Sequence, residues 1–184
     1  MARNADETRR KILEAATDEF ARHGIAGARV DRITTTAGVN NALLYRYFGS
    51  KTDLFDTVYS RLVTEIVDAV PIDPADLPGY AGRLYDYYEA HPQVVRLTAW
   101  RQLERPELAQ PQVVEDAQRE KAAAIARAQR EGLVPGTLAP EELRDLMVLL
   151  SLGNAPVVPG AATDAERARR RATVVAAATA VLRM

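Results

Sequence analysis

The segment from Val30 to Lys51, VDRITTTAGVNNALLYRYFGSK, constrains the fold of this 184-residue chain more than any other part of it. Its first half carries an apolar stripe at helical spacing, formed by Val30, Ile33 and Ala37. Gly38 then supplies the positive φ that a sharp turn between two helices requires. A second helix is predicted over about Asn40–Tyr47, with Leu44 and Phe48 facing inward. The segment therefore predicts a helix-turn-helix.

A helix-turn-helix binds DNA by placing the N-terminal residues of its second helix against base edges in the major groove. Asn41 can bond the edge of adenine through two groups, so it is the candidate for reading a base. Lys51 lies in the first turn of the next helix, where the helix dipole makes a positive side chain unfavourable. A contact with a DNA phosphate would explain why a lysine stands there. The predicted DNA contacts are Arg29, Asn40, Asn41, Ala42, Leu43, Tyr45, Arg46, Tyr47 and Lys51. The other interpretation is an ordinary pair of packed helices.

The same segment resembles the DNA-binding domain of the TetR (tetracycline-repressor-like) family of transcriptional regulators. The matching residues are Ile33, Ala37, Gly38, Val39, Leu44, Tyr45, Tyr47, Phe48, Ser50, Lys51, Leu54 and Phe55. The upstream piece from Thr8 to Gly24 resembles the family's first helix, so the resemblance covers about the first third of the chain. It implies a DNA-binding head followed by a helical effector-binding and dimerisation domain. A two-fold homodimer of this kind would bind double-stranded DNA at an inverted-repeat operator.

Three features depart from the family pattern. The threonine run Thr34–Thr36 is β-branched, which weakens the first helix of the motif. Arg29 stands where a Ser or Thr cap is usual, which costs about 1 kcal/mol and favours a phosphate contact from Arg29 instead. Ala42 and Leu43 replace a common Gly-Thr or Gly-Ser pair, so Leu43 can meet a thymine methyl but cannot donate a hydroxyl.

The composition is typical of a soluble cytoplasmic regulator. Apolar residues make up 47% of the chain and charged residues 27%, and there is no cysteine. No stretch is long and apolar enough to span a membrane, and no signal peptide is recognised. Residues 1–51 contain nine Lys and Arg against six Asp and Glu, whereas the remainder contains fifteen against nineteen. A basic head on an acidic body would orient the chain on phosphates. We expect a cytoplasmic protein without disulfides or a membrane partner.

Apolar periodicity and the positions of Pro and Gly predict an all-α chain of about nine helices. Besides the two helices of the motif, helices are predicted over about Thr8–His23, Lys51–Ala69, Pro78–Ala90, Pro92–Leu103, Pro111–Glu131, Pro140–Leu152 and Thr163–Leu182. The residues before Thr8 are predicted to be a loose arm, and Gly24 to end the first helix. The predicted domains are a DNA-binding domain over residues 1–51 and an effector-binding and dimerisation domain over residues 52–184.

The last two predicted helices carry more apolar surface than one covered face requires. With the support of the family resemblance, they are predicted to form a four-helix bundle with the same helices of a second subunit. The predicted dimerisation residues are Leu146, Leu149, Leu150, Val174, Val175, Ala178, Val181 and Leu182. The other interpretation is a helix pair buried within one subunit.

Aromatic residues cluster in the middle of the chain, with four tyrosines in one predicted helix and Trp100 in the next. Four tyrosines on one short helix cannot all be buried on one side, and buried hydroxyls need partners. A pocket lined by some of Tyr87, Tyr88 and Trp100 is therefore the predicted effector site. Ordinary core packing is the alternative for these residues.

No combination of residues predicts catalysis, a metal site or a cofactor. His23 and His91 have no partners at ligand or triad spacing, and there is no phosphate-binding glycine loop. Two functions remain. The first is a homodimeric repressor released from its operator by a small-molecule effector, which binds better to the state whose reading heads are wrongly spaced. The second is a DNA-binding dimer without a ligand, whose body serves dimerisation or protein docking.

Overall fold

The computed structural model describes residues 2–106, 110–155 and 162–183. These residues form nine α-helices and one 3₁₀ turn, with no strand among them. The helices are α1 (Ala2–Gly27), α2 (Val30–Ala37), α3 (Asn41–Phe48), α4 (Lys51–Ala69), α5 (Leu77–Ala90), α6 (Pro92–Glu104), α7 (Gln112–Arg130), α8 (Pro140–Asn154) and α9 (Asp164–Val181), and the 3₁₀ turn is Pro74–Asp76. The predicted all-α class is confirmed.

The first helix is longer than the sequence predicts. It begins at Ala2, so the residues before Thr8 are helical and the predicted loose arm is wrong. Gly24 breaks the helix with φ 70° and ψ −175°, a conformation that other residues rarely adopt. The prediction that Gly24 ends the regular helix is therefore correct, and a short helical segment to Gly27 follows the break.

The chain divides into two compact units, and the division differs from the predicted boundary after Lys51. The first unit contains residues 1–62 and 96–111, and the second contains residues 63–95 and 112–184. The first turns of α4 belong to the first unit because their apolar side chains lie in its core. There the rings of Phe20 and Phe55 meet edge to face, with 5.2 Å between their centroids.

The first unit has an apolar core to which α1, α2, α3 and α4 contribute. Its fully buried side chains include Ile12, Ala16, Phe20, Ile33, Leu44, Leu54 and Val58. Phe48 is buried as well, so both residues predicted to face inward from α3 do so. This core holds the two helices of the motif by their apolar faces and leaves their polar faces outside.

The end of α6 holds the broken end of α1. Oε2 of Glu104 accepts hydrogen bonds from the backbone N–H groups of Ile25, at 2.7 Å, and Ala26, at 2.8 Å. These N–H groups follow the break at Gly24, and the carboxylate supplies them with an acceptor. A side chain at Gly24 would collide with Glu104 and with the ring of Trp100.

The second unit is built around α5, which packs against both α8 and α9, while α7 packs against α8. Its buried side chains include Leu77, Tyr80, Leu84, Tyr85, Ile125, Leu143, Met147, Val174 and Ala178. Gly82 lets α5 and α9 approach closely, because a Cβ there would lie 2.9 Å from Cγ2 of Val175. The buried Ser151 hydroxyl of α8 donates to the Ala81 carbonyl of α5 at 2.8 Å.

Candidate nucleic-acid interface

The helices α2 and α3 meet at a turn centred on Gly38, which has φ 68° and ψ 36°. Its N–H donates to the Thr35 carbonyl at 3.2 Å, and the Val39 N–H donates to the Thr34 carbonyl at 3.0 Å. These bonds satisfy carbonyls at the end of α2, as a left-handed glycine after a helix usually does. The predicted helix-turn-helix is confirmed.

Asn40 caps α3. Its Oδ1 accepts a hydrogen bond from the Leu43 N–H at 2.8 Å, and its backbone is extended. A cap of this kind contributes about 1 kcal/mol. The side chain predicted to touch DNA therefore has a structural partner, and a DNA contact from Asn40 stays a prediction that must coexist with this cap.

Asn41 ties α3 to α2. Its Nδ2–H donates to Oδ1 of Asp31 at 2.7 Å, and its Oδ1 accepts from the Thr34 hydroxyl at 2.6 Å. Thr34 is buried, and its hydroxyl joins α2 to α3, a stabilising contact that its low helix propensity does not indicate. Both groups with which Asn41 would read adenine are engaged inside the protein. Base reading by Asn41 stays a prediction, and it requires exchange of these two partners.

Lys51 faces the end of α1. Its Nζ lies 3.2 Å from the Ala26 carbonyl oxygen and 3.1 Å from the Ala28 carbonyl oxygen. Carbonyls at the end of a helix lack helical partners and carry partial negative charge, so they account for a cation at this position. These two carbonyls explain the position of Lys51 without the phosphate partner that the sequence suggests. A phosphate contact from Lys51 stays a prediction.

Glu19 of α1 compensates for the cap that α2 lacks. Arg29 makes no side-chain cap, but its backbone N–H donates to Oε1 of Glu19 at 2.9 Å. The Nε–H of Arg32 donates to the same oxygen at 2.7 Å. Burial acts to raise the pKa of the Glu19 carboxyl, but the hydrogen bonds from Arg32 and Arg29 outweigh it, and the pKa is lowered. Sequence reasoning missed Glu19 and Arg32, because no local pattern joins residues of two different helices.

The outer face of α3 leaves a smaller set of side chains available to DNA. Besides the two asparagines, the exposed predicted contacts are Arg29, Ala42, Tyr45 and Arg46, and the half-buried ones are Leu43, Tyr47 and Lys51. Tyr45 is 46% exposed. The guanidinium of Arg46 lies 5.8 Å from the centre of the Tyr47 ring. Arginine and tyrosine side chains commonly donate hydrogen bonds to phosphate oxygens.

Comparison with known proteins agrees with this geometry. Residues 12–58 match the family described as "Bacterial regulatory proteins, tetR family", and residues 76–179 match "Tetracyclin repressor-like, C-terminal domain". The HTH-type transcriptional repressor SCO4008 of Streptomyces coelicolor is 39% identical over 161 residues, which cover 86% of this chain and 83% of the relative. The chain belongs to the TetR family.

Two further comparisons support this assignment. The HTH-type transcriptional repressor NicS of Pseudomonas putida is 38% identical over 106 residues, which cover 53% of this chain and 50% of the relative. The crystal structure of SCO4942 from Streptomyces coelicolor matches with a TM-score of 0.79 and 35% identity, over 95% of this chain and 97% of that chain. TetR-family proteins are DNA-binding transcriptional regulators and not enzymes. In this regulator, α2 and α3 form the DNA-binding motif.

The predicted effector residues of this TetR-family protein are divided between the two units. Tyr87 and Tyr88 belong to the second unit, where Tyr88 is buried and the Tyr87 ring stacks on His91 with 4.1 Å between centroids. Trp100 belongs to the first unit, where its Nε1–H donates to the Ala21 carbonyl at 3.4 Å. Trp100 therefore packs on α1, the role that sequence analysis left open for it. An effector contact from these residues stays a prediction.

A cleft of about 610 Å³ opens between α5 and α9 in the second unit. Its lining residues are Tyr85, Asp86, Glu89, Ala90, Pro92, Arg167, Ala168 and Arg171. The Tyr85 hydroxyl donates to Glu89 at 2.6 Å, and Nε–H of Arg171 donates to Asp86 at 2.7 Å. The polar groups of this cleft thus satisfy one another, and the predicted effector residues do not line it.

The predicted dimerisation residues are partly buried and partly exposed. Val174 and Ala178 are fully buried inside the second unit, and Val175 packs closely against Gly82 of α5. Because α5 already covers Val174 and Ala178 within one chain, these two are not free to contact a second subunit, whereas a dimer contact from Val175 stays a prediction. Leu149, in contrast, is 60% exposed. The half-buried members of the set are Leu146, Leu150, Val175, Val181 and Leu182.

Each of the two histidines lies close to a polar group of its own helix or of the preceding one. His23 lies 3.7 Å from Glu19, and Nδ1 of His91 lies 2.8 Å from the Tyr87 carbonyl oxygen. In the part of the chain that the structure describes, no group of three or more His, Cys, Asp or Glu side chains could hold a metal ion. No helix among those residues combines the length and apolar character needed to cross a membrane.

Proposed function

We propose that this TetR-family regulator is a homodimeric repressor that a small molecule releases from its operator. The observation that carries the proposal is the apolar face of α8, where Leu149 is 60% exposed. The relatives SCO4008 and NicS are both named transcriptional repressors, which favours repression over activation. A regulator of bacterial transcription acts on the chromosome, so its proposed location is the cytoplasm.

The proposed dimer forms through α8 and α9. Leu146 and Leu150 lie beside the exposed Leu149 and are half-buried in a single chain. On the C-terminal part of α9, the exposed alanines are Ala172, Ala176 and Ala180. Small side chains let helices of two subunits approach closely, and a two-fold partner presents the same apolar face in return. Covering this face removes apolar surface from water, which stabilises the dimer.

The dimer would present two α3 helices to an inverted-repeat operator. In the proposed arrangement, Tyr45 and Arg46 contact phosphates, while Ala42 and Leu43 approach base edges such as the thymine methyl. Further phosphate contacts are proposed for Arg29 and Tyr47. DNA contacts from Asn40, Asn41 and Lys51 also stay predictions. Each of these side chains already makes hydrogen bonds within the first unit, which a DNA contact would have to replace or share.

Release of the operator requires two states of the dimer that differ in the spacing of the two heads. An effector bound to the second unit lowers DNA affinity if it binds more tightly to the state in which the heads are wrongly spaced for the operator. The size of the effect is limited by the ratio of the effector's affinities for the two states. The proposed connection is α4, since its residues belong to both units.

A second candidate function is a DNA-binding dimer without a ligand, whose body serves dimerisation or protein docking. The observation that favours it is the cleft between α5 and α9, where the ion pair of Arg171 and Asp86 leaves few unpaired groups for a ligand.

Selection of bound DNA from a random library tests the proposal, when combined with sedimentation and repeated with fractionated cell extract. We expect an inverted-repeat site, a particle of twice the chain mass, and at least one small-molecule fraction that weakens binding. A monomer at micromolar concentration would contradict the dimer. Binding that no fraction alters would favour the ligand-free candidate.

A further inference from the structure

The hydroxyl of Tyr80 on α5 is the first sign of a site that the dimer and the helix-turn-helix do not use. The side chain is fully buried, and its hydroxyl makes no hydrogen bond. Buried hydroxyls in proteins are almost always paired, and an unpaired one costs free energy. Burial raises the pKa of Tyr80 despite the opposing effect of Arg83 and Arg144, so the hydroxyl keeps its proton and remains a donor.

Lys121 on α7 is the second sign. Its Nζ lies 5.6 Å from the centre of the Tyr80 ring, and the side chain is half-buried. It makes no hydrogen bond or ion pair with any residue that the structure describes. Burial, and to a smaller extent the neighbouring Arg144, lowers the pKa of Lys121. The Tyr80 ring gives this cation a cation–π contact, but no carboxylate partner compensates for its withdrawal from water.

The charged groups that act on Tyr80 are Arg83 and Arg144, and Arg144 also acts on Lys121. Arg144 of α8 donates to the Gln118 carbonyl at 3.1 Å and pairs with Asp145, while Arg83 of α5 lies 3.5 Å from Asp76. Both arginines act on the Tyr80 hydroxyl, and no carboxylate contributes to the electrostatics of Tyr80 or Lys121. The Tyr80 hydroxyl and the Lys121 ammonium are both hydrogen-bond donors without an acceptor among the described residues, and an anionic oxygen would serve both.

We propose that Tyr80 and Lys121 bind the carboxylate of a small organic acid, and that this acid is the effector. The assignment of the acid as effector rests on the proposed function, whereas the binding site does not. The carboxylate accepts from the Tyr80 hydroxyl and from the Lys121 ammonium, and charge-assisted hydrogen bonds of this kind are stronger than neutral ones. The exposed part of Lys121 gives the acid access from solvent.

The test compares thermal unfolding of the full chain with acetate, hexanoate and benzoate, and with the amide of each acid at equal ionic strength. We expect at least one acid, and not its amide, to raise the midpoint of the wild type in a concentration-dependent way. Lys121→Met should weaken that binding about tenfold or more, and Tyr80→Phe several-fold, because each removes a donor to an anion. The control is Arg119→Met, which removes an exposed cation from the same helix and should bind the acid normally.

Stability without ligand gives a second readout. Lys121→Met replaces an uncompensated cation by an apolar side chain of similar length, so we expect its midpoint to lie about 2–4 °C above that of the wild type. Three results would overturn the proposal: no acid stabilises the wild type, the acid stabilises Lys121→Met equally, or Lys121→Met unfolds at a lower temperature. The third would mean that Lys121 is a packing residue of the core.

DNA binding separates this site from the proposed function. If an acid binds through Lys121 but leaves operator affinity unchanged, the site stands and ligand-gated release is wrong. If a neutral compound releases the operator from the wild type and Lys121→Met alike, release stands and the acid is not the effector. Release by the acid in the wild type, lost in Lys121→Met and kept in Arg119→Met, supports both.

Discussion

The helix-turn-helix and the interior of the second unit treat their polar side chains in opposite ways. Around α2 and α3, the side chains of Glu19, Asn41 and Lys51 all have hydrogen-bond partners within the first unit. Between α5 and α7, the hydroxyl of Tyr80 and the ammonium of Lys121 have none among the described residues. The recognition surface is thus organised before it meets DNA, which reduces the ordering cost of binding. The body instead holds groups that another molecule would satisfy.

Apolar side chains follow the same division. The inward residues Leu44 and Phe48 of α3 are buried within the first unit, whereas Leu149 on α8 is largely exposed. The first unit buries its apolar side chains within one chain. In the proposed function, the exposed apolar face of the second unit is covered by a second copy of the chain, and its unpaired polar groups are satisfied by a ligand. The following substitutions test this difference, beginning with the body.

The largest effect is expected from Leu149→Glu. A charge placed in the proposed interface would lack a partner, which is costly, so the dimer should dissociate. Affinity for the inverted repeat should fall by about 100-fold or more, because the two heads no longer act as one ligand. Sedimentation and DNA mobility shift measure the two effects. Leu133→Glu, at an exposed leucine beyond α7, is the control and should remain dimeric. A dimeric Leu149→Glu with normal DNA binding would contradict the interface.

The next largest effect is expected from Asn41→Ala in the head. Loss of the bonds to Asp31 and Thr34 should lower the free energy of unfolding by about 1–2 kcal/mol. If Asn41 keeps these bonds on DNA, the affinity of the variant should fall for all sequences alike. Urea unfolding and binding to single-base operator variants measure these effects. Tyr45→Phe is the control, since it removes an exposed hydroxyl and should leave stability unchanged. Unchanged stability with relaxed choice at one base pair would mean that Asn41 reads a base.

A smaller effect is expected from Lys51→Met. Loss of the cation at the end of α1 should lower the free energy of unfolding by about 1 kcal/mol. The slope of log affinity against log salt should stay the same if Lys51 acts only on α1. Arg46→Met, at an exposed cation of α3, should instead reduce that slope by about 0.9 without loss of stability. A similar reduction in Lys51→Met would show that Lys51 also contacts a phosphate.

The smallest effect concerns pH. The pKa of Glu19 is lowered in the folded chain, so its stabilising contribution is present above the unfolded pKa and is lost as pH falls through the folded one. We expect the wild type to lose under about 1 kcal/mol more stability than Glu19→Gln between roughly pH 5 and 3. Chemical unfolding across this range measures the difference. Glu14→Gln, at an exposed carboxylate paired with Arg10, should behave as the wild type.

The helix-turn-helix could be predicted from the sequence because its signals are local. The turn at Gly38 and the inward pair Leu44 and Phe48 depend on residues a few positions apart. The support of the motif could not be predicted in this way. Lys51 bonds carbonyls 23 and 25 positions earlier, and Glu104 bonds N–H groups 78 and 79 positions earlier. No periodicity relates such residues.

The dimerisation set shows a different limit. Apolar and small residues at helical spacing identify a face that will be covered, but they do not reveal what covers it. For Val174 and Ala178 the cover is α5 of the same chain, where Gly82 admits close packing. The prediction of the effector site has the same limit, because the sequence does not show whether an aromatic residue such as Trp100 packs against a helix or against a ligand.

The break in α1 has a consequence for the construction of hybrid regulators. A graft of residues 1–62 onto a foreign body would separate the N–H groups of Ile25 and Ala26 from the Glu104 carboxylate, and the small residue Gly24 from Trp100. The transferable recognition module is therefore discontinuous, with residues 1–62 and 96–111 taken from the same parent. A chimera designed on that plan would carry the acidic residue at the end of α6 together with the reading helices.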